Sequence, residues 1–147
     1  MKRTLNLKSN YEVEKSYRAE YDQAKNDNDE HRMAALREAM KLFRDDIFEI
    51  GDDYAMLYRL YRGSHDNELV DLNSPHQYCD AEKLIAAFRK YGIKQFTFSS
   101  GWSSAVEAAW KFTQLGCKLE GMVEINGDKE FGEENYTKIP AYLFSID

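Results

Sequence analysis

Nine apolar residues between positions 33 and 61 recur at alternating steps of three and four, and this stripe constrains the fold more than any other pattern in the chain. Such spacing places every member on one face of an α-helix. Gly51 interrupts the stripe and is followed by Asp52 and Asp53, which predicts a break with a fresh helix capped by these acids. We expect the stripe to be core, because its flanks show no coiled-coil charge code; the alternative is a homodimer seam. Its members are Met33, Leu36, Met40, Phe43, Ile47, Ile50, Tyr54, Leu57 and Tyr61.

Another helix is predicted over residues 11–25, before the stripe helix in the chain. Residues 1–10 are predicted to be a loose polar segment. Asp29 follows a run of turn formers and is expected to cap the stripe helix. The turn-rich segment 63–75 then ends the helical part of the chain. We therefore divide the chain into a helical region, residues 1–73, and an α/β region, residues 74–147, which together form one compact unit. The apolar face of the helix over residues 11–25 consists of Val13, Tyr17, Tyr21 and Ala24.

The C-terminal region reads as helix, strand, helix, strand, strand. Asp80 opens the first helix and Gly92 ends it. Ile93–Ser99 is a strand, a helix begins near residues 102–104 at a Ser104–Glu107 capping box, and 118–126 and 139–146 are strands. The core is predicted to include Phe98, Val106, Trp110 and Val123.

These elements predict the fold class. The last two strands should form an antiparallel hairpin. The strand–helix–strand segment that precedes it should be a right-handed parallel crossover. Pro140 indicates an edge position or the start of a strand. We predict an α+β protein in which an N-terminal helical hairpin packs on a C-terminal α-β-α-β-β unit with a three-stranded mixed sheet.

Charge and hydropathy narrow the functional classes. The chain carries 26 acidic and 20 basic residues, a formal net charge of −6, whereas non-specific binding of nucleic acid needs a basic surface. No apolar run is long enough to span a membrane, and the first residues, MKRTLNLKSNYE, lack the apolar stretch of a signal peptide. We expect a cytoplasmic protein that contacts neither nucleic acid nor membranes directly.

Cysteine and histidine are few and scattered. Cys79 and Cys117 form no CxxC motif, which predicts two reduced thiols. A metal cluster can be drawn in the turn-rich segment, but its spacings match no compact site, so we predict neither a metal nor another cofactor. The residues of that drawn cluster are His65, Asp66, Asp71, His76 and Cys79.

The turn that joins the first strand to the following helix gathers small polar groups. Backbone N–H groups and hydroxyls at a helix start can bind an anion. The turn is neither a phosphate-binding P-loop nor a nucleophile elbow, so capping of the helix by Ser103 and Ser104 is the simpler interpretation. A small enzyme or ligand-binding domain stays the alternative, with a site at Ser99, Ser100, Gly101, Trp102 and Ser103.

An acidic cluster on the stripe helix is the second candidate. Five carboxylates in nine residues are usually a solvated face, but they also suit a basic groove on a partner protein. Tyrosines follow them directly, and tyrosine is favoured at interfaces. The predicted partner-binding residues are Asp45, Asp46, Glu49, Asp52, Asp53, Tyr54 and Tyr58.

One resemblance adds to this. The string FTFSSGWSSAVEAAW, with LEGMVEING and KIPAYLF after it, resembles a small uncharacterised family of bacterial genomes and mobile elements, over Asp80–Asp147. Small acidic proteins of such elements are often inhibitors of host defence, anti-CRISPR proteins among them. The resemblance implies a non-enzymatic inhibitor of a basic, nucleic-acid-binding partner, and it assigns no role to a single residue.

Overall fold

A computed structural model describes residues 6–73, 80–101, 103–130 and 132–147. Contacts divide the chain into two compact units, with the division between Tyr58 and Arg59. None of the described helices is both long enough and apolar enough to cross a membrane. The predicted α+β class is confirmed, and the described elements are α1 (Leu7–Asn26), α2 (Glu30–Ile50), α3 (Asp52–Arg62), β1 (Asp71–Leu72), α4 (Ala81–Lys90), β2 (Gln95–Phe98), α5 (Ala105–Gln114), β3 (Cys117–Asn126) and β4 (Lys138–Ile146).

The first unit begins with a helical hairpin whose helices start at side-chain caps. The Asn6 side chain accepts the N–H of Ser9 at 2.9 Å, which satisfies one of the donors that a helix start leaves unpaired. Helix α1 therefore begins at Leu7, and the prediction that residues 1–10 are loose is wrong for the described residues 7–10. Asp29 accepts the N–H of Arg32 at 3.1 Å, which confirms it as the cap of α2.

The stripe residues of the first unit, Met33 to Leu57, pack inside that unit, against α1. Leu36 and Ile47 are buried, and the ring of Phe43 lies edge-on to Tyr17 and Tyr58, with centroids 6.2 and 6.1 Å apart. The predicted break at Gly51 is confirmed: its φ of 153° and ψ of 154° belong to a region that only glycine adopts without strain.

The second unit holds a four-stranded sheet in the order β1-β2-β4-β3. Strand β1 pairs in parallel with β2, and β4 pairs antiparallel with both β2 and β3. The β3–β4 hairpin is confirmed. The predicted three-stranded sheet is corrected to four strands, because β1 adds one. β2 and β3 both run antiparallel to β4 and are therefore parallel to each other, as the predicted crossover requires, with β4 between them.

An aromatic core joins the sheet to α4 and α5. Phe96 of β2 stacks between Phe88 and Phe144, with ring centroids 5.2 and 5.3 Å away. Phe112 of α5 meets Phe96, Phe98 and Phe144 edge-on at 5.1–5.5 Å. Both helices thus pack on the sheet face that carries these rings. The predicted Asp80 cap, the Gly92 stop and the apolar face of α4 are confirmed, the last consisting of Ala81, Leu84, Ile85 and Phe88.

The prediction of which face of α5 is buried was wrong. Trp110 is 63% exposed and Val106 80%, whereas Phe112 is fully buried. Helix α5 has two apolar faces. The face that packs on the sheet is the one with Phe112, whose ring contacts three phenylalanines of the sheet. Phe98 is core as predicted and Val123 is half-buried. Ser104 is the N-cap residue, but its side chain makes no capping hydrogen bond.

A β-bulge in β3 alters the predicted alternation of its side chains. Leu119 lies opposite Phe144, and Gly121 lies opposite Leu143. Neighbouring residues of a strand point to opposite faces, so Leu119 does not share a face with Val123 as its spacing predicted. Pro140 lies at the start of β4, beyond the end of β2, where its missing N–H removes no pairing bond.

Candidate functional site

The acidic cluster occupies the solvent side of the first unit. Asp45, Asp46 and Glu49 are exposed on α2, and Asp52 is exposed at the start of α3. Asp53 is half-buried, and its carboxylate accepts the N–H of Tyr54 at 2.8 Å. Four of the five predicted acids are therefore exposed, and the fifth lies half-buried in the first turn of α3.

Two large apolar residues stand among these acids. Leu42 is 57% exposed and Phe48 is 61% exposed. Leu42 precedes Asp45 by three positions and Glu49 by seven, and Phe48 follows Asp45 by three, so helical geometry places them on one side of α2. Sequence reasoning missed both residues. The available signal was their position off the buried stripe, where apolar side chains have no core to enter.

The two tyrosines predicted at this surface are not part of it. Tyr54 is fully buried, and its hydroxyl oxygen accepts an N–H of the Asn10 amide at 2.6 Å. Tyr58 is 4% exposed, and its ring meets Phe43. Tyr54 belongs to the apolar stripe, and Tyr58 follows its member Leu57. Both rings pack in the interior, so the partner-binding assignment of Tyr54 and Tyr58 is corrected.

The predicted anion-binding turn is built around a buried carboxylate. Asp71 of β1 is 1% exposed. The Thr97 hydroxyl donates to its Oδ1 at 2.7 Å, and the Ser99 hydroxyl donates to its Oδ2 at 2.6 Å. The backbone N–H of Asp71 donates to the Ser64 hydroxyl at 2.9 Å. This network joins the adjacent parallel strands β1 and β2 at the point where the turn begins.

This arrangement does not favour an anion at Ser99, because that hydroxyl already donates to a carboxylate and a second negative charge would meet the first. The anion-site assignment of Ser99 is therefore corrected. Ser100 is half-buried, while Gly101 and Ser103 are exposed. Trp102 lies outside the described residues. The signal for Asp71 was the run LVDL, in which apolar residues flank a single acid.

The candidate metal ligands do not converge within the described chain. Among the described residues, no group of three or more His, Cys, Asp or Glu is placed to hold a metal ion. His65 faces Asp128 at 3.2 Å, whereas Asp71 belongs to the hydroxyl network. His76 and Cys79 lie outside the described residues. Cys117 is a free, buried thiol.

Residues 65–67 form a second polar cluster, at the far end of the β3–β4 hairpin. The Asn67 side chain accepts the N–H of Asn126 and donates to its carbonyl oxygen, both at 2.9 Å. The Tyr136 hydroxyl donates to Asp66 at 2.7 Å. His65 and Asp66 adopt positive φ angles of 52° and 60°, a conformation with an energetic cost. This cluster, which sequence reasoning treated as a loop, fixes the chain to the outer strand of the sheet.

The fold and these surfaces define a small α+β protein with a helical N-terminal unit and a mixed-sheet C-terminal unit. Comparison with protein families finds one described as a domain of unknown function (DUF7698), which matches residues 56–146. The chain belongs to this family. No curated protein and no solved structure matched the chain. The match begins within α3, so it includes the sheet unit and leaves out the acidic residues 45–53.

Proposed function

We propose that this protein is a non-enzymatic interaction protein that binds a basic partner protein through the outer face of α2. The observation that carries the proposal is the exposure of Leu42 and Phe48 among the exposed acids Asp45, Asp46 and Glu49. Apolar side chains surrounded by charge are the arrangement of an interface, where a few buried anchors supply most of the affinity and a polar rim surrounds them.

The two kinds of residue have separate roles in this proposal. Phe48 and Leu42 enter apolar pockets on the partner and determine how long the complex lasts. The carboxylates face basic side chains, raise the rate of encounter and fix the orientation of the complex. Because the acids are exposed, salt screens their field over a Debye length of about 10 Å at 0.1 M ionic strength.

The proposed partner is a basic nucleic-acid-binding protein such as a host defence nuclease. A groove that binds phosphates presents lysine and arginine side chains, and an acidic helix can occupy the same groove. The resemblance to proteins of mobile elements supports this choice, since inhibitors of host defence, anti-CRISPR proteins among them, are common there. The protein then acts in the cytoplasm, where such nucleases work. The contact surface precedes the segment shared with the DUF7698 family, so we assign it to this chain and not to the family.

The test compares two variants with equal changes in charge. Asp45→Lys with Glu49→Lys alters the proposed surface, and Glu20→Lys with Asp22→Lys alters exposed acids of α1 in the same unit. Each variant serves as bait in a bacterial lysate, and proteins bound by wild type are identified by mass spectrometry. A genuine partner is retained by the α1 variant and lost with the α2 variant.

Purified partner then allows rates to be measured. We expect the α2 charge reversal to slow association about tenfold at low salt, and this difference should shrink as salt rises. Phe48→Ala should mainly speed dissociation and weaken binding by about 2 kcal/mol, roughly thirtyfold in Kd. Equal capture by both charge variants, or an unchanged Kd for Phe48→Ala, would reject the surface.

A further inference from the structure

The outer edge of the sheet in the second unit is a long strand, β3, that pairs with another strand on one side only. β3 is the last strand in the order β1-β2-β4-β3 and runs for ten residues. On one side it pairs with β4. The backbone groups on its other side face outward, and an edge of this kind can pair with a further strand.

The contact with Asn67 shows which backbone groups point outward. The Asn67 amide bonds both the N–H and the carbonyl oxygen of Asn126, so it stands where a neighbouring strand would stand. Backbone groups alternate in direction along a strand, so those of Glu124 and Met122 face the same way as those of Asn126. Within the described chain, no hydrogen bond is made to the outward groups of these two residues. Asn67 thus occupies one pairing position on the outer edge of β3, at Asn126, and the edge continues beyond it to Glu124 and Met122.

Apolar side chains lie next to this edge. Met122 is 62% exposed and lies opposite Tyr142, which is 40% exposed. Tyr142 is two residues from Phe144, so it lies on the sheet face that meets α5. Helix α5 contacts β3 and carries the exposed Trp110 and Val106. An extended segment laid along β3 would therefore find an apolar surface on that face.

The charged residues of β3 and of the following loop determine which kind of extended segment can pair with this edge. β3 carries Glu120 and Glu124 against one base, Lys118, and the following loop adds four exposed acids, Asp128, Glu130, Glu133 and Glu134, against one exposed base, Lys129. Two copies of this edge would bring like charges together, which destabilises strand pairs. A segment that contains lysine or arginine gains from the same charges.

We propose that the outer edge of β3, at Met122 and Glu124, binds an extended segment of a partner protein as a fifth strand. The segment alternates apolar side chains, which lie on the face of Met122 and Tyr142, with basic side chains, which lie on the opposite face with Glu120, whose carboxylate accepts the Ser145 hydroxyl there. Backbone hydrogen bonds supply affinity and the alternating side chains supply selectivity, as in other cases of strand addition. The site lies in the unit shared with the family and is separate from the α2 surface, so it stands or fails independently of the function proposed above.

The test uses a synthetic strand as the probe. Acetyl-(Lys-Val)3-amide presents alternating basic and apolar side chains, and the same peptide N-methylated at its four central residues keeps the charge but loses backbone donors on both edges. Amide hydrogen exchange is measured by NMR on the full chain with each peptide. We expect the first peptide at saturation to slow exchange at Met122 and Glu124 at least tenfold, and the methylated peptide to bind at least tenfold more weakly.

Two substitutions of Glu124 separate the contribution of its backbone N–H to peptide binding from the contribution of its carboxylate charge. Glu124→Gln keeps the outward N–H and removes the carboxylate, and should weaken peptide binding only a few-fold. Glu124→Pro removes that N–H without breaking a bond to β4, and should weaken binding at least tenfold further. A thermal melt checks that both variants fold; if the proline variant does not, the exchange data on wild type still decide.

Three outcomes would overturn the proposal. The first is equal affinity for the two peptides, which would mean that charge alone attracts them. The second is equal peptide affinity in folded Glu124→Pro and Glu124→Gln. The third is a wild-type dimer that the peptide dissociates, because a second copy of the chain would then occupy the edge.

Discussion

Substitution of Phe112 by alanine tests the burial of α5 most directly. Phe112 is fully buried and its ring contacts three others, in Phe96, Phe98 and Phe144. Removal of a buried phenylalanine ring costs about 3–5 kcal/mol of unfolding free energy. Each ring pair adds roughly 0.5–1.5 kcal/mol beyond the buried area, so we expect a value toward the upper end of that range.

Trp110→Ala is the matched control, two residues away on the same helix. Trp110 is 63% exposed, and changes at exposed sites usually stay within about 0.5 kcal/mol. Urea unfolding followed by far-UV circular dichroism compares the two variants without depending on tryptophan fluorescence. For a chain of this size, a loss of 3 kcal/mol lowers Tm by roughly 6–12 °C. A Trp110→Ala variant that loses as much stability as Phe112→Ala would show that the other face of α5 is buried.

Two further predictions concern the buried polar groups of the second unit. Asp71→Ala leaves the Thr97 and Ser99 hydroxyls without their acceptor and should cost about 2–4 kcal/mol, with a smaller loss for Asp71→Asn; urea unfolding at neutral pH measures both, and wild-type stability in Asp71→Ala would contradict the network. Burial raises the pKa of the Cys117 thiol, against a smaller lowering by Arg89 and with a further small rise from Asp147. A raised folded pKa means that the stabilising contribution is complete below the unfolded thiol pKa, about 8.5, and is lost as pH rises through the folded value. Unfolding free energy should thus fall in the alkaline range more steeply for wild type than for Cys117→Ala, and parallel curves would refute this.

Local features of the fold could be predicted from the sequence because neighbouring residues determine them. Asp29 and Asp80 cap helices through N–H groups three residues away, and Gly51 breaks the long helix because of its own backbone angles. Each of these depends on a few adjacent residues. The periodicity of the stripe likewise sufficed to identify α2 and its buried side.

Features that depend on distant residues could not be predicted. β1 is two residues long and exists because it pairs with β2, so no local pattern marks it. The buried face of α5 is decided by phenylalanines on β2 and β4. The Ser99 hydroxyl had a different role from the predicted one because its partner, Asp71, lies on another strand.

The candidate surface on α2 was predicted only in part, because the burial of a side chain depends on residues that are distant in the sequence. Exposed acids can be identified from a run of charge, and four of the five are exposed. Tyr54 belongs to the stripe and Tyr58 packs against its member Phe43, and the burial of both rings outweighed the general preference of tyrosine for interfaces. Leu42 and Phe48 could have been found by asking which apolar residues the stripe leaves out.

The position of β4 has a consequence for biosynthesis. β4 consists of residues 138–146 and lies between β2 and β3, so β3 pairs with no earlier strand and the sheet is not continuous until β4 is added. A ribosome adds about 5–20 residues per second and domains fold as units, so the second unit cannot close until Ile146 has emerged. Until then the Phe96 ring lacks Phe144 as a neighbour. The helical first unit has no such requirement, and nascent chains should acquire helix protection before they acquire sheet protection.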